Sequence, residues 1–551
     1  MKAKKFIALA VMTVLLFTGS AFSAQPEDAL TPRPNESAYF VLKLSDTSGL
    51  LKWIFSEENI NLLTPLILLS ENSNEAIGGM ETLRSIAQNT PLKSAAVIVG
   101  ITPEKVKSQD PFFQLAFTVS SELNPIVRKL SQGQADAKDI AKLILGTESP
   151  LIAFAETMIK VERGKDNIMR IDNAVFVKAV DDIILLGLSE NDIKESMKAL
   201  EDKKARLFTH SPRKFETGDF ALFHFDPSIT DAYVSSFLLD DKDKNEFQYI
   251  DFYDKPVTFE WGFEKHADKF IMAMHVNYLE AMTKKYKEKW QNIKAVKGGY
   301  IDLRNSGGSS VPIFALGSFL DLSRAYDIPE VKQYLDEALE QLKKHLGIAK
   351  EDVLALFSGP FSLVVNGSVM FESFKIPAVY ISQTGSKGAA TKIYDTITKS
   401  SHFHKVHDRI SQLDSSLSPV SCIIGNAGNT LGVAFAELSS FADRPGREGK
   451  FGSLLNKESI SSLWIDFAGI QSWLNDDSNG VFAALQPIAS LLGYGKLLDA
   501  VRDVLNADFS VTSMAVTAPD IETVYFEFAL KDVKAENGFF AKLIKLYMEL
   551  K

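Results

Sequence analysis

The stretch Val175–Ile193 reads VFVKAVDDIILLGLSENDI. Two short runs of β-branched and large apolar residues, Val175–Val180 and Ile183–Leu188, flank the turn-forming pair Asp181-Asp182. That pattern spells a β-hairpin, and the polar residues after Leu188 lead into a helix. A second hairpin is expected in FEWGFEKHADKFIMAMHV, residues 259–276, turning through His266 and Asp268. Hairpins build antiparallel sheet, whereas a doubly wound parallel sheet requires unbroken strand–helix–strand alternation. The fold class expected is therefore α+β, an antiparallel sheet with segregated helices on one face.

The same patterns recur outward from this hairpin. Val420–Phe441 (VSCIIGNAGNTLGVAFAELSSF) repeats a hairpin leading to a helix, and Met514–Tyr547 repeats the hairpin and Lys-, Tyr- and Met-rich helix of Phe259–Trp290. Lys138–Ala155 (KDIAKLILGTESPLIAFA) resembles Glu351–Val365 (EDVLALFSGPFSLVV), each read as a helix, a Gly turn and a strand. Four segments share an aromatic or β-branched strand, a polar turn and an apolar helix: Ala38–Phe55, Phe220–Leu238, Gly299–Leu320 and Ser462–Leu474. These pairs follow one order in both halves, the signature of internal repetition. Two similar tandem units are expected, residues 37–293 and 298–551, joined at Lys294–Gly299 (KAVKGG). Within the second, Pro329–Gly347 carries Val331, Tyr334, Leu335, Ala338, Leu339, Leu342 and Leu346 at spacings of three and four, a one-sided helical stripe. Asp327 with Glu330 forms a capping-box pattern, and Gly347 is the expected stop.

Residues 1–23 read as a secretory signal peptide. Lys2, Lys4 and Lys5 precede the apolar run Phe6–Phe17, and Ala21-Phe22-Ser23 supplies small residues for cleavage after Ser23. A run of about 12 apolar residues is too short for a membrane span, which needs roughly 18 or more. Val481–Gly493, a later apolar run, is interrupted by Gln486 and Pro487. No cysteine stands directly after the apolar run, so no lipoprotein anchor is expected. Residues 24–36, with Pro26, Pro32 and Pro34, read as a linker. Localisation is therefore expected to be periplasmic or secreted, without a membrane span after cleavage. The chain of 551 residues has a formal net charge of −10 and a single cysteine. An acidic exported chain is a poor partner for nucleic acid or anionic lipid, both of which need clustered positive charge.

Candidate chemistry is sparse. His402, His404 and His407 form the densest set of potential metal ligands. They fall in a polar stretch, Ser400–Ser415, read as a surface loop without a fourth ligand at recognisable spacing. Asp181 and Asp182 read as turn residues, with Asn426–Asn429 as the matching turn, and His266 and Asp268 read likewise, matched by Pro519-Asp520. Asn305–Ser310 (NSGGSS) lacks the Lys-Ser/Thr ending of a phosphate-binding loop. Ser211-Pro212-Arg213-Lys214 spells S-x-x-K without its companion motifs. Cys422, in the apolar run Val420–Ile424, reads as a buried, inert thiol. Phe is abundant, with 38 residues, and is assigned to core. No catalytic or metal site is assigned, and no metal or cofactor is expected to be needed for folding.

The strand–turn–helix openings and the hairpin ending in LLGLSENDIKESMKAL resemble large exported bacterial proteins of unknown function, built from duplicated α+β units behind a signal peptide. The resemblance implies an envelope location and carries over no functional residue. The function expected is a non-catalytic binding or envelope-structural protein acting on an unknown envelope ligand or protein. The alternative is a periplasmic hydrolase acting on envelope material, its site assembled from residues distant in sequence.

Overall fold

The computed structural model describes residues 29–30, 38–57, 84–106, 112–149, 152–172, 174–201, 219–237, 252–265, 269–290, 293–303, 311–327, 329–372, 374–386, 388–438, 452–506, 511–530, 542 and 546. Contacts divide the chain into a unit of Met1–Glu264 with Met272–Lys284 and a unit of Lys265–Ile271 with Lys285–Lys551. The first 28 residues, which include the expected leader, lie outside the described residues. Among the described residues, no helix is long and apolar enough to cross a membrane.

The first unit is mixed α+β with an antiparallel sheet. Its strands are β1 (Ala38–Leu44), β2 (Leu92–Ile101), β3 (Phe112–Val119), β4 (Val161–Arg163), β5 (Met169–Ile171), β6 (Val175–Val180), β7 (Ile183–Gly187), β8 (Asp219–Phe225), β9 (Val257–Lys265) and, from Met272 on, β10 (Lys269–Val276). Across the sheet they run β4-β5-β6-β7-β3-β2-β1-β8-β9-β10. The β6–β7 hairpin closes at Val180 opposite Ile183, with Asp181 at φ 54°. Every residue of β3, FFQLAFTV, is buried. A strand buried on both faces needs cover on both, and that is where the one-faced expectation fails. Helices α2 (Asn124–Ser131) and α3 (Ala137–Leu145) pack Ile126, Leu130, Ile140 and Leu143 against Val97, Leu115 and Phe117 on one face. On the other, α5 (Glu190–Glu201) places Ile193 against Ile98, Ala116 and Leu185. Helix α1 (Thr47–Ile54) follows β1, α4 (Ile152–Met158) follows α3, and α6 (Ser228–Phe237) follows β8.

Two expectations change here. The run LIAFA within Lys138–Ala155, read as a strand, lies in α4 from Ile152 onward, so its match to Glu351–Val365 fails. A short apolar run carries no period that separates strand from helix. Ala29 and Leu30, read within a linker, are fully buried among Val41, Ile98 and Leu222.

The second unit holds β11 (Phe314–Asp321), β12 (Ser358–Phe371), β13 (Phe374–Thr384), β14 (Phe403–His407), β15 (Ile410–Leu413), β16 (Cys422–Ala427), β17 (Thr430–Phe435), β18 (Ser461–Ile465), β19 (Val511–Ala518) and β20 (Thr523–Leu530). They run β14-β15-β16-β17-β13-β12-β11-β18-β19-β20, all antiparallel. Helices α7 (Leu322–Tyr326), α8 (Pro329–Leu346), α9 (Lys350–Leu356) and α10 (Ala389–Thr398) cover one face through Leu339, Val353, Leu356 and Ile393. Helices α11 (Phe467–Asn475), α12 (Val481–Leu491) and α13 (Gly495–Leu505) lie between β18 and β19. The α8 stripe is only partly covered: Leu339 is buried, but Tyr334 is 72% exposed. Gly347, at φ 70°, ends that helix as expected.

Gly299–Leu320 is corrected. Its opening residues form a single 3-10 turn, Gly298–Tyr300, and Phe314–Leu320, read as helix, belongs to β11. The true strand-to-helix turn is at Asp321, whose carboxylate accepts from the Arg324 N–H. Ser400–Ser415 is likewise a hairpin, β14–β15, rather than a loop.

Candidate functional site

In the second unit the chain enters through Val296–Lys297, which pairs with Glu458–Ser459. Gly298, Gly299 and Tyr300 then take φ values of 72°, 53° and 69°. Such values are free for glycine, but for an aromatic residue they are strained by about 1–3 kcal/mol. The strain persists because the segment lies flat on the sheet. A Cβ on Gly299 would sit 2.6 Å from Ser459 Oγ, and one on Gly317 would collide with the backbone of Gly299–Ile301. Gly317 of β11 is flanked across the sheet by Ser462 of β18 and Ser362 of β12. This row of small residues makes room for the crossing chain. The Asp302 N–H donates to Ser362 Oγ at 2.8 Å, and Tyr300 Oη donates to the Lys294 carbonyl at 2.5 Å. The Tyr300 ring meets Phe319 at 5.7 Å, and burial raises its hydroxyl pKa.

Beyond this segment, over β12 and β13, lies a cavity of about 300 Å³. Its walls include Tyr300, Asp302, Phe361, Ser362, Ser382 and Thr384. Ser362 and Ser382 stand directly opposite each other, and Thr384 Oγ1 shares a hydrogen bond of 2.8 Å with Thr430 Oγ1. The lining residues offer hydroxyls, one carboxylate and two aromatic faces, with no imidazole, thiol or amine to move a proton. No expectation from the sequence pointed here. The signal that could have done so is the glycine pair of KAVKGG followed by Tyr, Asp and a later isolated Gly317 within an apolar run.

A second cluster lies on the first unit's sheet. Tyr39 on β1 stands opposite His224 on β8, their rings stacked at 4.6 Å and 18°. His224 Nδ1 shares a hydrogen bond of 3.0 Å with Thr258 Oγ1 on β9. Glu260, two residues on, shares that face. Its Oε2 is buried and has no hydrogen-bond partner among the described residues. Burial pushes Glu260 up to about 7, and burial, with the Glu260 charge adding, pushes Tyr39 up to about 12. Burial lowers His224, with Asp226 opposing.

The residues singled out from the sequence do not join either cluster. His402, His404 and His407 are exposed, at and along the edge strand β14, with His404 opposite Gln412. Among the described residues, no three His, Cys, Asp or Glu side chains gather as metal ligands would. Asp181 and Asp182 form the hairpin turn. Cys422 opens β16 opposite Phe435; it is half-buried, and burial raises its thiol pKa. His266 and Asp268, Asn305–Ser310 and Ser211–Lys214 lie outside the described residues. No protein-family model, curated protein or solved structure matches the chain.

Proposed function

We propose that the chain is an exported, non-catalytic binding protein that holds a small, uncharged, hydroxyl-bearing molecule in the cavity of the second unit. The observation that carries this reading is the cavity lining. Hydroxyls of Ser362, Ser382 and Thr384 and the Asp302 carboxylate suit a ligand with several hydroxyls, while Tyr300 and Phe361 suit its apolar faces. About 300 Å³ is the lower end of ligand pockets, which span roughly 300–1,000 Å³. Export rests on the features of residues 1–23, and N-terminal sequencing of the cellular protein is expected to begin at Ala24.

The reading extends to architecture: the two units descend from one duplicated α+β fold. Numbered from its own first strand, each unit has the order 4-5-6-7-3-2-1-8-9-10. In each, the first and eighth strands lead to an aspartate that accepts a backbone N–H at a helix start. These residues are Asp46 and Asp226 in one unit, and Asp321 and Asp466 in the other.

Native mass spectrometry of protein purified from its own cells tests the binding reading. A retained small polyhydroxylated molecule, lost from a Ser382→Leu variant that fills the cavity, is expected. A bare chain, or a ligand retained equally by the variant, would count against it. The hydrolase alternative is favoured by one observation, Glu260 and His224 on one face of the sheet with a carboxyl near 7, the range of a general acid or base. Turnover of envelope material abolished by both Glu260→Gln and His224→Ala would support it instead.

A further inference from the structure

Helix α12 reads VFAALQPIASL and contains no buried residue. Its outward side and the turn after it expose Leu485 at 39%, Ile488 at 56%, Leu491 at 87%, Leu492 at 62% and Tyr494 at 58%. Not one charged residue occurs between Gly480 and Gly495. Monomeric proteins rarely expose apolar patches beyond a few hundred Å².

The base of this patch is firmly held. The Arg502 guanidinium of α13 lies 5.3 Å from the Phe482 ring and 2.9 Å from Asp477 Oδ1. Asn475 Nδ2 donates to the Leu505 carbonyl at 3.0 Å, and Asn479 Nδ2 to the Trp473 carbonyl at 2.6 Å. Ala500 and Val504 bury the inner side of α13. The apolar face is thus presented on a pinned helical hairpin, so little ordering cost remains for docking.

We propose that this face is a self-association surface, on which two copies of the chain dock symmetrically through Ile488, Leu491, Leu492 and Tyr494. Area and charge identify the occupant. The five exposed side chains present roughly 600 Å², and with a rim of Gln486, Ser490 and Lys496 the patch approaches the ~800 Å² per partner of a stable interface. Two copies of an acidic chain repel one another over most of their surfaces. A charge-free patch lets them meet without opposing like charges, and a two-fold axis makes one patch its own complement. A membrane-surface helix would carry Lys or Arg on its polar face, and α12 has neither.

Sedimentation velocity of the full chain without its first 23 residues, from about 1 to 100 μM, tests this. A dimer is expected, with Leu491→Asp and, separately, Ile488→Asp each raising the dissociation constant at least tenfold. Because both side chains are largely exposed, the far-UV circular dichroism of the dissociated variants should match the parent, and their melting temperature should match that of the parent diluted to monomer. A parent that stays monomeric at the highest concentration would overturn the proposal. So would a dimer untouched by both substitutions, or a monomer that co-floats with neutral or anionic phospholipid vesicles.

Discussion

Glu260 lies on β9 with a buried carboxylate oxygen that no described group satisfies. Its folded pKa of about 7 exceeds the ordinary value of 4.5, so between those values the folded chain holds more protons than the unfolded one. Stability therefore falls as pH rises from 4.5 to about 7. Glu260→Gln removes that loss. At pH 8 the variant should be more stable than the parent by about 1–2 kcal/mol, after discounting for partial solvent access, and the gain should shrink at pH 5. Urea denaturation at the two pH values checks it. Gly317 is the opposite kind of residue, where any side chain is too much. Gly317→Ala drives a methyl into the backbone of Gly299–Ile301. It should cost about 2–4 kcal/mol and disturb the Tyr300 wall of the cavity, read by thermal unfolding and by loss of retained ligand.

At the scale of elements, four turns do the same work. Asp46, Asp226, Asp321 and Asp466 each end or follow a strand and accept an N–H from a helix's first turn. Asp466→Ala should lower stability by about 1 kcal/mol, the ordinary value of such a cap, seen as a reduced urea midpoint with unchanged slope. Three of these turns were legible from local spelling. The Asp321 turn was missed because NSGGSS, a glycine- and serine-rich run, outweighed one aspartate after Phe314–Leu320. The β6–β7 hairpin was legible because Asp181 and Asp182 sit between two strand-forming runs. The β14–β15 hairpin was hidden because β14 packs Phe403 on the core while His404, Lys405 and His407 are exposed and make the strand look like loop.

At the scale of the whole molecule, the same strand order arises twice. What unites the units is which strands neighbour one another, above all the central antiparallel pairs β1–β8 and β11–β18. A small segment outside the sheet also matters. Leu30 is fully buried beside Val41 and Ile98. It lies beyond the expected cleavage point, so cleavage there would leave it in the chain. Leu30→Ala should destabilise the protein by about 2–4 kcal/mol, measured by denaturant unfolding, whereas a free linker residue would show no change.

By itself, the sequence determined the fold class, the β6–β7, β9–β10, β16–β17 and β19–β20 hairpins and the α8 helix through Leu346, because turn chemistry and side-chain period act over a few residues. Tertiary structure alone decided the rest. The stacking of Tyr39 on His224 with Glu260 nearby requires β1, β8 and β9 to become neighbours. The cavity exists only once Gly298–Asp302 crosses a row of small residues drawn from β11, β12 and β18. The burial of Leu30 and the exposure of Leu491 follow from what packs over each, not from hydrophobicity, which the two leucines share. Spacing along a chain cannot report such placements, since strands far apart in sequence pair through contacts that form only when the whole sheet assembles.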